Sequence, residues 1–196
     1  MTPPRIRTSL VSIAVAVFVA GCASSPTVRM YVLGDPASSA PVASIESGRT
    51  VVHLSPVSVP DYLDTEDILI RSAANEVKAS PRGRWAERLS LGVTHALAAA
   101  LAAGLPSTVI VTKQPVVRPT QQIVVDVEVF EIRPDGRCLL IVRWNILGGD
   151  DLHGLRSGHD TFVEQAADGS DAAIASAMTR AIDRLAVQIV AAETAL

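Results

Sequence analysis

Cys22 is the residue of this 196-residue chain whose type and position indicate the most specific chemistry. It follows the small residues 19–21, and ahead of these lie Arg5, Arg7 and a mostly apolar stretch from Leu10 to Ala20. A basic start, a short apolar segment and small residues before a cleavage point form a secretory signal peptide. The apolar stretch is about half as long as a membrane-spanning helix. The sequence therefore predicts cleavage before Cys22, which makes this thiol part of the first mature residue.

The leader resembles a bacterial lipoprotein signal, because its lipobox ends in the pair Gly21-Cys22. The resemblance implies a diacylglyceryl thioether on Cys22 and an acyl chain, of the palmitate kind, on its new amino group. Several acyl chains anchor a protein far better than one, since each buried CH₂ contributes about 0.8 kcal/mol. An ordinary signal peptide with a chance cysteine, or a buried N-terminal helix, is the alternative.

The lipoprotein interpretation divides the chain into three parts. Residues 1–21 are a signal peptide, residues 22–27 a lipidated tether, and residues 28–196 one domain that faces the periplasm. In enterobacterial-type lipoproteins, an aspartate next to the cysteine favours the inner membrane. That position is Ala23 here, which favours the outer membrane.

The other residues able to do chemistry lack the spacing of a known site. They are His53, His95, His153, His159, Asp150, Asp151 and Asp160. His153 and His159 are six residues apart, which matches no metal-binding pattern. Neither Ser90 nor Ser107 stands in a Gly-x-Ser-x-Gly motif. We therefore predict a protein that is not an enzyme and that needs no metal or cofactor beyond the lipid on Cys22.

Charge and cysteine content narrow the class of protein further. Removal of the leader, with its two arginines and no acids, takes the formal net charge from −3 to −5, and the chain has only two lysines. No basic stripe exists, so we expect no nucleic-acid partner. Cys138 has no disulfide partner if Cys22 is lipidated. Because it lies in an apolar run, we expect a buried, inert thiol.

The elements that must position these residues are predicted from hydrophobic periodicity. Short strands are expected at 28–33, 51–59, 68–71, 75–78 and 108–112, and longer ones at 123–130, 138–147 and 161–165, the last beginning as early as His153. In the first long strand, Ile123, Val125, Val127 and Val129 form one apolar face.

Two helices complete the predicted fold. One runs from Trp85 to Ala103, with leucine or valine at every fourth position, and the other follows the turn at Asp168. In the second helix the apolar positions are Ile174, Met178, Ile182, Leu185 and Ile189. The order of elements predicts a single α/β (α+β) domain, a mostly antiparallel sheet covered by two main helices.

The segment from Val51 contains several uncommon short strings in a fixed order. It reads Val51-Val52-His53-Leu54-Ser55-Pro56-Val57-Ser58-Val59-Pro60-Asp61-Tyr62-Leu63-Asp64, then Ile68-Leu69-Ile70-Arg71, Asn75-Glu76-Val77 and Arg84-Trp85-Ala86-Glu87-Arg88-Leu89, after an early Tyr31-Val32-Leu33. With the lipobox, these strings resemble the ABC-type transport auxiliary lipoproteins of the PqiC kind. The pair Glu87-Arg88 departs from many relatives, in which a proline or small apolar residue follows the glutamate.

The resemblance implies a non-catalytic role in an MCE system, which moves lipids or other hydrophobic compounds between the two membranes and supports membrane integrity. The lipoprotein would sit at the outer membrane as a homo-oligomer. There it would dock the periplasm-spanning MCE protein, whose inner-membrane transporter completes the system. A structural or assembly lipoprotein, supporting a cell-wall enzyme or outer-membrane machine, is the alternative.

Seven residues of the motif segment are candidates for partner docking: Asp61, Tyr62, Leu63, Asp64, Arg71, Trp85 and Glu87. Aromatic and arginine side chains are enriched at protein interfaces, and the pair Tyr62-Leu63 is the first candidate contact. The structural alternative is that Asp61 or Asp64 caps a turn, Trp85 packs the first helix onto the sheet, and Glu87 pairs with an arginine such as Arg71.

Overall fold

The computed structural model describes residues 27–34, 50–113, 118–148 and 153–196. Cys22 and its flanking residues lie outside this part of the chain. The described part contains eight strands and two helices: β1 (Arg29–Tyr31), β2 (Thr50–Leu54), β3 (Asp67–Ala73), β4 (Glu76–Trp85), α1 (Leu89–Gly104), β5 (Thr108–Val111), β6 (Gln121–Ile132), β7 (Arg137–Gly148), β8 (His153–Gln165) and α2 (Asp171–Glu193). Neither described helix combines the length and hydropathy needed to cross a membrane.

The strands form one mixed sheet organised around β6. On one side β6 pairs antiparallel with β7, which pairs with β8. On its other side β6 pairs in parallel with β2 near its start and with β3 at its end. Strand β5 continues the sheet beyond β2, while β4 and then β1 continue it beyond β3. The predicted single α/β domain with two helices is therefore confirmed, and the longest ladders are antiparallel.

Helix α2 forms as its sequence predicts. Ser170 is the N-cap, and its hydroxyl accepts a hydrogen bond of 3.2 Å from the backbone N–H of Ala173. This bond satisfies one of the N–H groups that the first turn of a helix leaves without a partner. The apolar positions predicted from the sequence all lie in the core: Ile174, Met178, Ile182, Leu185 and Ile189.

Helix α1 begins four residues later than predicted, at Leu89. Trp85 is instead the last residue of β4, where it pairs with Tyr31 of β1 and donates its backbone N–H to Glu66 at 2.7 Å. The pairing with β1 could not be expected from helix propensity, because it joins segments more than fifty residues apart. The pair Glu87-Arg88, which departs from the pattern of many relatives, lies between the end of β4 and the start of α1.

The apolar face of β6 changes sides within the strand, which corrects the predicted alternation. The register against β7 shifts between Val127 and Val129, as it does at a β-bulge. Val127 faces the core before the shift, whereas Phe130 and Ile132 face it afterwards. Because side chains alternate with a period of two, one extra residue moves every later side chain to the opposite face. Val129 therefore does not continue the apolar face.

Candidate docking surface

The predicted docking string lies on a segment that is held against β6. The backbone N–H groups of Ser55 and Ser58 donate to Ile123 and Val125 at 2.9 and 3.0 Å, and Ser58 accepts from Val127 at 2.8 Å. These bonds hold the segment between β2 and β3 alongside β6, in the interval between the two pairings that β6 makes with these strands. The side chains that follow are therefore placed on a fixed backbone.

Leu63 and Trp85 are core residues. Leu63 is 2% exposed and Trp85 is 3% exposed, and both belong to the main apolar cluster. A side chain buried to this extent offers almost no surface to a partner, so the docking interpretation of these two residues is replaced by the structural one. For Trp85 the burial supports the alternative that its ring packs the body together.

Tyr62 and Arg71 are brought together at the surface, over the buried Glu131. The Arg71 Nε donates to Glu131 Oε1 at 2.7 Å, and its Nη2 lies 2.6 Å from Oε2. The hydrogen bond to Glu131 raises the pKa of Arg71, and Tyr62 adds a smaller effect of the same sign against the opposing effect of desolvation. The Tyr62 side chain itself is 48% exposed. The Arg71 guanidinium, held in place by Glu131, thus lies next to the exposed Tyr62 side chain.

Asp64 caps α1 from outside the helix. Arg88, at the N-cap position, makes no capping hydrogen bond with its own side chain. Asp64 Oδ1 instead accepts a 3.0 Å hydrogen bond from the backbone N–H of Ser90, and its Oδ2 pairs with Arg88. Burial opposes ionisation of this carboxyl, but the hydrogen bonds from Ser90 and the charge of Arg88 outweigh it and hold the pKa of Asp64 below its ordinary value. Asp64 therefore has a capping role, as the structural alternative predicted, but it caps helix α1 and not a turn.

Glu87 does not pair with Arg71. Its carboxylate lies 3.1 Å from Nδ1 of His95, in the second turn of α1, and both side chains are partly exposed. Arg71 is paired with Glu131, which is on a different strand.

Asp61 is exposed in the turn before Tyr62. Three members of the docking set thus share one accessible area, and we call Asp61, Tyr62 and Arg71 the Tyr62 surface.

Glu131 is the residue that the sequence did not single out. It is 3% exposed, although carboxylates are rarely buried unless paired. Nε of Arg133 lies 3.3 Å from Glu131 Oε1, so two guanidinium groups flank the carboxylate. The sequence signal was a charged residue between the apolar Phe130 and Ile132, but it did not indicate the partner.

A surface groove of about 580 Å³ lies between the two helices. Its walls are built chiefly from small side chains on α1 and α2: Ala96, Ala99, Ala100, Ala103, Ala186 and Ala191. Val187, which is 69% exposed, and Asp183 stand among the lining residues. Because these side chains are small, the two helices pack closely and the groove between them stays open.

Of the remaining candidates for chemistry, Asp150 and Asp151 lie outside the described residues. Among the described residues, no three histidine, cysteine or carboxylate side chains gather closely enough to hold a metal ion. His159 lies 3.2 Å from Glu128 on the exposed face of the sheet. Cys138 is fully buried, as predicted, and burial together with the charge of Glu164 raises the pKa of its thiol to about 12. A thiol in this state is a poor nucleophile.

Comparison with known proteins places this fold in a defined class. Residues 31–190 match the family described as the ABC-type transport auxiliary lipoprotein component. The match covers most of the chain, from the last residue of β1 to within three residues of the end of α2, so the chain belongs to this family. The predicted fold and the resemblance to this family are thereby confirmed.

Individual relatives agree with the family. The chain is 27% identical over 135 residues to the intermembrane transport lipoprotein PqiC of Escherichia coli, covering 69% of this chain and 71% of that protein. PqiC of Shigella flexneri matches to the same extent. A crystal structure of a protein from Xanthomonas campestris, 20% identical, superposes with a TM-score of 0.60 over 84% of this chain and 90% of its own. Another crystal structure of an uncharacterised protein gives a TM-score of 0.66 at 20% identity, over 84% and 97% of the two chains. These two likenesses establish the fold.

Proposed function

We propose that this protein is the outer-membrane lipoprotein of an MCE-type transport system, anchored by lipid on Cys22 and facing the periplasm. The observation that carries the proposal is the family match over residues 31–190. The position of Cys22 supports it, because one cleavage after the lipoprotein-like leader would make Cys22 the first residue of the mature protein. The similarity to PqiC, an intermembrane transport lipoprotein, supports a role between two membranes.

In this role the protein binds and positions a partner and catalyses no reaction. The partner is the MCE-domain protein that spans the periplasm from its inner-membrane transporter, and the lipoprotein acts as a homo-oligomer. The Tyr62 surface is the proposed contact, because it combines an exposed aromatic ring with an arginine held in one geometry by Glu131. Preorganised aromatic and arginine side chains contribute most strongly to protein interfaces.

The proposal is tested by site-specific crosslinking in native membranes. A photoreactive amino acid replaces Tyr62 in one variant and Val187 in a control variant, since Val187 is also well exposed but lies on α2. Mass spectrometry then identifies the crosslinked proteins. We expect an MCE-domain protein, and adducts with a second copy of this chain, from the Tyr62 variant in excess over the control. Recovery of cell-wall enzymes or of an outer-membrane assembly machine instead would support the structural lipoprotein alternative.

The anchor is tested separately. Cys22→Ser removes the thiol that the lipid requires, so we expect the folded body to leave the membrane fraction with unchanged circular dichroism. Cys22→Ser protein that stays in the outer membrane after a carbonate wash would contradict the lipid anchor.

A further inference from the structure

Strand β1 presents three apolar side chains on one exposed face. Val28, Met30 and Val32 alternate along the chain and are 47%, 55% and 60% exposed. Tyr31 and Leu33, which alternate with Met30 and Val32, point the other way, since Tyr31 packs against the core and Leu33 is buried. β1 ends the sheet on this side, because among the described strands it pairs with β4 alone. A row of exposed aliphatic side chains on an outermost strand indicates a surface that contacts another protein or a membrane.

Arginines lie beside this apolar row. In the parallel pairing of β1 with β4, Met30 is opposite Arg84. Gly83, the preceding residue, faces the other side, where a Cβ would stand 2.6 Å from the Asp171 carboxylate at the start of α2. Arg84 therefore shares the side of the sheet to which Met30 points, and Arg82 lies two residues before it in β4. Arg82 is exposed, and Arg84 is 53% exposed with its guanidinium 3.5 Å from Asp67. We call Val28, Met30, Val32, Arg82 and Arg84 the β1 face.

The length of chain between Cys22 and this strand limits where the β1 face can be. Val28 is the sixth residue after Cys22. A fully extended chain spans at most about 3.6 Å per residue, so Val28 lies within roughly 20 Å of the anchored residue. A lipid on Cys22 therefore keeps the apolar row and its arginines close to the bilayer surface.

We propose that the β1 face lies on the phospholipid surface of the membrane that carries the anchor. Val28, Met30 and Val32 contact the boundary between headgroups and acyl chains, and the two guanidinium groups bind lipid phosphates. Apolar side chains bordered by basic ones are the composition of surfaces that lie in this region. The inference rests on the proposed anchor at Cys22. Its consequence is a fixed orientation of the body, with β1 towards the membrane and the far part of α2 away from it.

The test compares fluorescent probes at two positions of the full, lipidated protein. Met30→Cys carries an environment-sensitive fluorophore on the β1 face, and Val187→Cys carries it at a control position. Val187 lies 16 residues along α2 from Asp171, which packs against Gly83. At 1.5 Å per residue this places Val187 about 24 Å along the helix axis from Asp171. Cys138 does not compete for the label, because it is fully buried.

The protein is reconstituted into vesicles of phosphatidylethanolamine and phosphatidylglycerol that contain a spin-labelled lipid as quencher. We expect blue-shifted emission at position 30 and quenching by the lipid at least threefold stronger than at position 187. Arg82→Glu should reduce this quenching, whereas Arg137→Glu, at an exposed position in the β6–β7 turn, should not.

Equal quenching at positions 30 and 187 in lipidated protein would overturn the proposal while leaving the anchor intact. A blue shift at position 30 that ignores the lipid quencher and grows with protein concentration would also overturn it, because a second chain would then cover β1. The mass of the N-terminal peptide reports the lipid on Cys22 independently. An unmodified Cys22 would remove the anchor itself, and the orientation with it.

Discussion

Arg71 of β3 and Glu131 of β6 form a two-point ion pair across the narrowest junction in the sheet. The two contacts measure 2.7 and 2.6 Å. The backbone register between the same strands consists of one pair, Ile70 with Ile132. Strands β3, β4 and β1 are thus joined to the rest of the sheet by a short ladder that a charged pair reinforces. The Tyr62 ring lies beside this pair, so the stability of the junction and the geometry of the Tyr62 surface are connected.

The first prediction concerns this pair. Arg71→Met should lower the free energy of unfolding, because it leaves the buried Glu131 carboxylate with only Arg133 nearby. The double variant Arg71→Met/Glu131→Leu should be more stable than Arg71→Met alone, since it removes the buried charge as well. Urea denaturation followed by circular dichroism measures both. Arg137→Met, in a pair whose side chains are 59% and 50% exposed, is the matched control and should change little. Equal effects of the Arg71 and Arg137 substitutions would contradict this account.

The second prediction concerns the cap on α1. Asp64→Ala removes the acceptor for the Ser90 N–H and should cost about 1 kcal/mol. Because the pKa of Asp64 is lowered from 3.8 in the folded protein, the stabilisation by its charge is present above that pH and is lost as the pH falls through the folded value. Unfolding curves of both proteins should therefore converge in acid. Asp61→Ala, in the exposed turn, is the control, and a pH-independent difference for Asp64→Ala would rule out the charge as the cause.

The third prediction distinguishes the two roles of Trp85. Its ring is 3% exposed, so Trp85→Ala should cost about 3–5 kcal/mol through lost burial and the cavity left behind. Val187→Ala, at a position 69% exposed, should change stability by less than about 0.5 kcal/mol. Chemical denaturation gives both values. A Trp85→Ala protein of normal stability that no longer crosslinks to its partner would make Trp85 a docking residue after all.

The fourth prediction concerns two glycines of β8. Gly158 lies opposite Trp144 in the β7–β8 ladder, and a Cβ at this position would stand 2.6 Å from Trp144 Nε1. Gly158→Ala should therefore displace the indole, strain its 2.7 Å hydrogen bond to Asp160 and cost about 1–3 kcal/mol. Gly154→Ala is the control on the same strand, since a Cβ there meets no atom within 4 Å. Thermal unfolding should separate the two variants clearly, with Gly154→Ala at or above the parent protein.

The elements predicted correctly depend on residues that are close together in the chain. The apolar positions of α2 recur every three or four residues next to a serine cap, and β3 turns directly into β4. The order of basic, apolar and small residues before Cys22 is equally local. Such patterns reflect backbone geometry and solvent exposure within a few turns, so the sequence alone suffices to predict them.

The errors and omissions involve partners distant in the chain. Trp85 ends a strand because β1 lies beside it, and Phe130 turns inward because β6 bulges against β7. Glu131 is buried because Arg71, sixty residues earlier, neutralises it. Desolvation and side-chain pairing depend on which segments meet in space, and many segments could satisfy the same local pattern. Lipid attachment is therefore predicted by the order of residues around Cys22, whereas the accessible docking residues become known only when the sheet is assembled and Leu63 and Trp85 are seen to be enclosed by it.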